Sequence, residues 1–325
     1  MKQIAKETLE LLRINDEWVE RYDEYSDFIT RNIENGKLEI SRKSFHEWEP
    51  LKAYISTTNA KNQGDVFKYS LRYLGQHVAE LKVNLKNMEV KISTDNKTSK
   101  TNKETFGCDV ILNEEDWNGS KAREFRRYFR EELPAKKKHI EHLFESLIIS
   151  EMIKKEKTNF IGTKPIMLGN TRFSMPTPLR GSDADVKYSA QNGGGIDILA
   201  RTRMSDGNVR LNIVELKDDN TVKEPPQKVI RQAIKYTVFI QQLLRSKSGQ
   251  KWWELFGFSG EVPSKLILNA TCLVPSNEKL NDTSFACKRI AISDGDEIEL
   301  HYIYFDYEID KDGQYSIIST KKTSF

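Results

Sequence analysis

Three residues in the carboxyl-terminal half, Asp197, Glu215 and Lys217, have the types and spacing of a hydrolytic metal site. Glu215 and Lys217 lie two apart at the end of the apolar run VRLNIVELK, so a strand there turns both to one face and Val214 and Leu216 to the other. Asp197 opens a second apolar run, IDILA, and Asp206-Gly207-Asn208 between the runs is a hairpin signal. If the runs pair across that turn, the start of one lies beside the end of the other, and Asp197 comes within reach of Glu215. Two carboxylates suit magnesium or manganese, hard cations that take oxygen ligands and keep waters or substrate phosphate in the rest of their shell. A metal-bound water loses its proton more readily, and the cation stabilises charge on a phosphate. Lys217 would orient or help deprotonate the attacking water, or neutralise charge developing on phosphorus oxygens.

Glu-x-Lys triplets arise by chance in any charged chain, so the elements around them carry the weight. Ile213, Val214 and Leu216 make a strand that reads as buried, where charges are costly without a partner or a metal. Upstream, residues 137 to 153 carry apolar positions at Ile140, Leu143, Phe144, Leu147, Ile148 and Met152, the stripe of an amphipathic helix. Residues 160 to 168 are weakly strand-like. A loop with Pro176, Pro178, Gly181 and Ser182 follows, where Arg172, Arg180 and Lys187 could meet a nucleic-acid backbone. Gly193-Gly194-Gly195 leads into IDILA. Downstream, Pro225-Pro226 precedes an expected helix from about 228 to 244, and KLILNATCLV and ELHYIYFDYE close the series. The order helix, strand, strand, strand, helix, strand, strand predicts helices packed on a mixed central sheet.

The amino-terminal part reads differently. Its first 35 residues are helical, with Leu9, Leu11, Leu12, Trp18, Tyr22, Tyr25 and Phe28 at helical spacing and a stop at Asn35-Gly36. FKYSLRYL, HVAELKVNL and MEVKIS predict a small antiparallel sheet. The polar stretch from Asp95 to Glu104 reads as an exposed loop, and a helix from about Ser120 to Glu132 is expected with Ser120 as its cap. That helix carries Arg123, Arg126, Arg127 and Arg130, with Lys136, Lys137 and Lys138 beyond it, either a phosphate-binding face or a solvated one.

Asp197 followed by Glu215-Leu216-Lys217 on the next strand resembles the PD-(D/E)XK nuclease superfamily, with Ile196 where the signature has proline. Members often lose that proline. The superfamily usually carries a glutamate on the helix before the sheet; FESLIISEM offers Glu145, and Glu141 one turn earlier is the competing choice. RQAIKY supplies Gln232 and Tyr236 at the Gln-x-x-x-Tyr spacing of RecB-type members, one helical turn apart on one face. The resemblance covers residues 134 to about 275. It implies an α/β, restriction-endonuclease-like fold in which Asp197, Glu215 and Glu145 hold Mg2+ or Mn2+ and Lys217 assists the water. Gln232 and Tyr236 would bind substrate phosphate or hold the site in shape. It also implies a nucleic-acid substrate, DNA ahead of RNA, in restriction, defence or DNA processing. The alternative is a nuclease fold that only binds nucleic acid or another protein.

A chain of 325 residues suggests two domains, an α+β domain over 1–133 with a recognition or interaction role and a nuclease-like domain over 134–325. Its net charge of +3 identifies no partner class by itself. Cys108, Cys272 and Cys287 are odd in number and far apart, which favours three small buried residues in a reducing cytoplasm over disulfides or a zinc knuckle. His139 and His142 lack further zinc ligands, and Trp252 and Trp253 read as packing residues. No apolar run approaches the roughly 20 residues of a bilayer span. A cytoplasmic protein without a membrane partner is expected, with a homodimer as a permitted assembly.

Overall fold

Asp206-Gly207 does turn the chain. The Gly207 N–H donates to the Met204 carbonyl at 3.0 Å, and the Asp206 carboxylate accepts from the Asn208 N–H at 2.9 Å. Strands Ile198–Arg203 and Val209–Leu216 then pair antiparallel, from Arg203 opposite Val209 to Ile198 opposite Val214. The structure, a computed structural model, describes residues 1–57, 64–134, 140–154, 159–182, 185–190, 193–218, 224–277, 282, 284–293 and 295–322.

Strand Val209–Leu216 also runs parallel to Ile267–Pro275, which in turn runs parallel to Glu297–Ile309. Parallel neighbours need a long crossover, and helix Pro226–Arg245 lies in the first of these connections. Thr163–Pro165 closes one side of the sheet against Ile198–Arg203; Arg289–Ala291 and Tyr315–Lys322 both pair antiparallel with Glu297–Ile309. The sheet is therefore mixed, with the expected succession of elements. A buried polar ladder crosses four of its strands: Thr271 donates to Asn212 at 2.6 Å, Asn212 to Thr202 at 3.1 Å, and the Thr202 and Thr163 hydroxyls meet at 3.3 Å. Each group satisfies its neighbour in the dry interior, and a slip in register would break all three bonds. The short helix Gly249–Leu255 and the strands at 289–291 and 315–322 go beyond the sequence reading. Trp252 and Trp253 pack in the interior as expected.

By their internal contacts the residues form two units, neither of them continuous in sequence. The first comprises Met1–Ser26, Leu147–Ile166 and Ser174–Phe325; the second comprises Asp27–Ser146 and Met167–Phe173. The boundary expected at 133/134 does not coincide with this division. Its physical reason is visible at the amino terminus, where Trp18 and Tyr22 pack their rings against Phe239 at 5.5 and 5.1 Å, and Trp252 donates its indole N–H to the Tyr22 carbonyl. The chain crosses between units within helix Ile140–Ile153.

In the second unit, Val66–Tyr73, Gln76–Asn84 and Glu89–Ser93 form the expected antiparallel sheet, extended by Glu115–Asp116 on one side and by Lys52–Ile55 and Arg172–Phe173 on the other. Gly75 turns between the first two at φ +75°, and a Cβ there would strike the His142 carbonyl at 1.8 Å. The stretch expected as a loop is helix Asn96–Phe106. Asp95 caps it by accepting from the Thr98 N–H at 2.6 Å, and Asn102 is buried with its amide on the Val78 carbonyl. A polar composition concealed a helix whose inner face is itself polar. Helix Ser120–Arg127 follows and widens into a π-helical turn over Tyr128–Glu132; Gly119 rather than Ser120 stands at its start, without a side-chain cap. Lys136, Lys137, Lys138 and His139 lie outside the described residues. Cys108 and Cys272 are buried as expected, whereas Cys287 sits exposed at φ +57°. No helix among the described residues is long and apolar enough to cross a membrane.

Candidate active site

The pairing of Ile198 with Val214 sets Asp197, at the bend between strands Gly194–Ile196 and Ile198–Arg203, beside Glu215. One Asp197 carboxylate oxygen accepts from the Leu216 N–H at 2.8 Å, which ties the aspartate to the strand of the Glu-x-Lys triplet. Lys217 Nζ donates to Glu215 Oε1 at 2.8 Å, as period-two alternation requires of side chains on one strand face. Glu215 is 1% and Lys217 7% exposed, while Asp197 is half-buried. The Lys217 N–H donates to the Leu273 carbonyl, so the triplet is fixed on both flanks by neighbouring strands.

Gln232 and Tyr236 lie on helix Pro226–Arg245, and Gln232 Nε2 donates to the Tyr236 hydroxyl at 3.4 Å. Burial raises the Tyr236 pKa well above the ordinary tyrosine value. The Glu215 charge adds to the shift, the Gln232 hydrogen bond opposes it, and the Asp197 charge adds again. The phenol thus stands within electrostatic reach of both carboxylates and keeps its proton, a hydrogen-bond donor rather than a base. Cys272, opposite Glu215 on the parallel strand, is held neutral in the same way, by burial first and by the Glu215 charge second. With the phenol and the thiol protonated, the charged oxygen donors here are the Asp197 and Glu215 carboxylates, a pair that fits a hard divalent cation better than a thiolate-seeking one.

Sequence reasoning missed the packing that holds the tyrosine. A Cβ on Gly181 would meet the Tyr236 ring at 2.8 Å, and one on Gly194 would meet its hydroxyl at 3.3 Å. Lys235, buried on the same helix, donates Nζ to the Gly181 carbonyl at 2.9 Å. A lysine amid Ile234, Tyr236 and Val238 was the available signal for a buried cation. Arg180 and Lys187 are both exposed and face each other across a two-stranded pairing.

Glu145 belongs to the second unit, as does Arg172. The Glu145 carboxylate is buried, 3.5 Å from Arg72 and 3.3 Å from the His142 ring nitrogen. The Arg72 guanidinium lies over the Tyr54 ring at 4.1 Å. Asp197, Glu215, Lys217, Gln232 and Tyr236 all belong to the first unit.

No protein-family model, curated protein or solved structure matches the chain.

Proposed function

We propose that the first unit is a metal-dependent nuclease of the PD-(D/E)XK type, built on a restriction-endonuclease-like sheet and hydrolysing phosphodiester bonds, in DNA ahead of RNA. One observation carries the reading: the strand register that sets Asp197 beside Glu215 while Lys217 bonds to Glu215 on the same face. A merely structural ion pair gains little by being buried, because desolvation offsets the attraction. Two carboxylates and a lysine at one end of a hairpin, with a protonated tyrosine on helix Pro226–Arg245, suit a site that handles phosphate and water.

Asp197 and Glu215 would hold magnesium or manganese, which when bound supplies charge stabilisation at the phosphate and acidifies a water. Lys217, anchored by its bond to Glu215, orients the attacking water or offsets charge growing on the phosphorus oxygens. Tyr236 and Gln232 present hydrogen-bond donors to a substrate phosphate. The resemblance also implies Glu145 in the metal set, but its contacts with Arg72 and His142 already account for its burial without a cation.

The test uses the full chain with labelled DNA and RNA in magnesium or manganese. Cleavage is expected, with Asp197→Asn and Lys217→Ala each lowering it about a hundredfold or more. A folded chain that cuts neither polymer, or undiminished cutting by Lys217→Ala, would overturn the proposal. Binding without cleavage in any metal would instead identify the alternative, an inactive nucleic-acid-binding module.

A further inference from the structure

In the second unit, Arg123, Arg126, Arg127 and Arg130 line a cavity of about 370 Å³ together with Trp48 and Asn118. Among the described residues no acidic side chain lines it. Arg126 is 6% exposed, and its bonding is unusual for a buried cation. It donates to the Trp117 carbonyl and lies over the rings of Trp117 at 4.0 Å and Trp48 at 5.4 Å. Among the described residues no carboxylate pairs with it, nor with Arg123 or Arg127; Arg130 pairs with its exposed neighbour Glu131 at 3.0 Å. Burial first, and the charge of Arg123 second, lower the Arg126 pKa to about 10. Cations buried or crowded in this way are costly unless an anion joins them.

The aromatic rings orient guanidinium groups without neutralising them. Arg126 has a partly structural role, since it holds the Trp117 carbonyl. Arg123, Arg127 and Arg130 are exposed; among the described residues Arg123 and Arg127 make no side-chain hydrogen bond or ion pair, and Arg130 lies over the Trp48 ring at 5.4 Å. Arg123 and Arg127 stand about one turn apart on the α-helix, about 6 Å along its axis, and Arg130 extends the ladder on the π-helical turn that follows. A single phosphate occupies one or two arginine forks; a ladder of this length fits a regular polyanion. The Trp48 ring and the Asn118 amide add a flat surface and a hydrogen-bonding group, which suit a nucleotide better than a run of acidic side chains.

We infer that this arginine-lined cavity of the second unit grips the phosphate backbone of a nucleic-acid strand. The site is distinct from Asp197, Glu215 and Lys217, and it binds whether or not the first unit cleaves. Binding of the full chain to a fluorescent 20-nucleotide single-stranded DNA is measured by anisotropy in EDTA, where metal-dependent cutting is silent. Replacing two phosphate-contacting arginines removes about 1.4 from the salt slope, at roughly 0.7 per contact on a single strand. Arg123→Ala with Arg127→Ala is therefore expected to weaken binding about tenfold or more and to flatten the slope by that amount, with melting unchanged because both positions are exposed. Lysine at both positions restores the slope. The measurement reads binding alone, so a chain that cleaves nothing in magnesium or manganese leaves this inference standing. An unchanged affinity and slope in the double alanine variant would overturn it. So would polyglutamate that competes as well as unlabelled strand, since that result assigns the cavity to acidic protein segments.

Discussion

Tyr236 shows how one buried side chain can be read for function. Its ring lies against Gly181 and its hydroxyl beside Gly194, and that hydroxyl takes a long 3.4 Å hydrogen bond from Gln232. Packing alone would be served equally well by phenylalanine, which avoids burying a hydroxyl. Burial and the neighbouring Glu215 charge both raise its pKa, so the phenol stays protonated near neutrality and can donate to an anionic oxygen. Tyr236→Phe is therefore expected to keep the fold and the melting temperature while lowering cleavage about tenfold, the scale of one hydrogen bond to a charged group. Because Tyr236 does not ionise near neutrality, a basic limb in the parent's pH–rate profile comes from another group and persists in the variant. Parallel melting and steady-state cleavage decide the matter; full activity in Tyr236→Phe would reduce the residue to packing.

Elements with strong local punctuation were legible in the sequence. Asp206-Gly207 announces the hairpin, Pro225-Pro226 the start of helix Pro226–Arg245, and together they bring Asp197, Glu215 and Tyr236 to one region. What stayed hidden depends on contacts distant in sequence. Helix Asn96–Phe106 turns a polar face inward because the Val78 carbonyl waits for Asn102, and no periodicity of apolar residues records that bond. The role of Gly181 is likewise tertiary. It lies in a proline-rich loop that reads as an ordinary turn, yet it is small so that the Tyr236 ring can lie against it while its carbonyl receives Lys235. Gly181→Ala places a methyl group at 2.8 Å from the ring carbons, closer than packed atoms approach, so helix or loop must shift. The expected cost is about 1–3 kcal/mol of stability, with a loss of cleavage larger than that of Tyr236→Phe because the whole ring is displaced. Chemical denaturation and cleavage measured side by side test this; a variant as stable and active as the parent would show that the loop yields freely.

Across the whole chain, the order of residues and the assignment to units disagree, and that disagreement makes its own prediction. Residues 1–26 belong to the first unit although the rest of that unit begins at Leu147. Their contribution is apolar and specific: Trp18 is 3% and Tyr22 2% exposed, both rings meet Phe239, and the Tyr22 hydroxyl donates to the Pro176 carbonyl at 2.7 Å. Phe239 sits on helix Pro226–Arg245, the same helix that carries Gln232 and Tyr236, so the amino terminus buttresses the helix of the candidate site from within its unit. Removing a buried large aromatic side chain typically costs about 3–5 kcal/mol, and total stabilities are only about 5–15 kcal/mol. A fragment beginning at residue 134, the boundary expected from the sequence, loses both aromatic residues together. It is expected to expose Phe239 and Trp252, bind a hydrophobic dye and melt without a cooperative transition, and to cleave nothing even in manganese. Adding residues 1–26 as a separate peptide should restore part of the melting transition if this packing is the missing ingredient. A fragment over 134–325 that melts cooperatively near the full chain's temperature would show that the amino-terminal helices merely cover the unit, and that the order of the sequence marks its folding boundary after all.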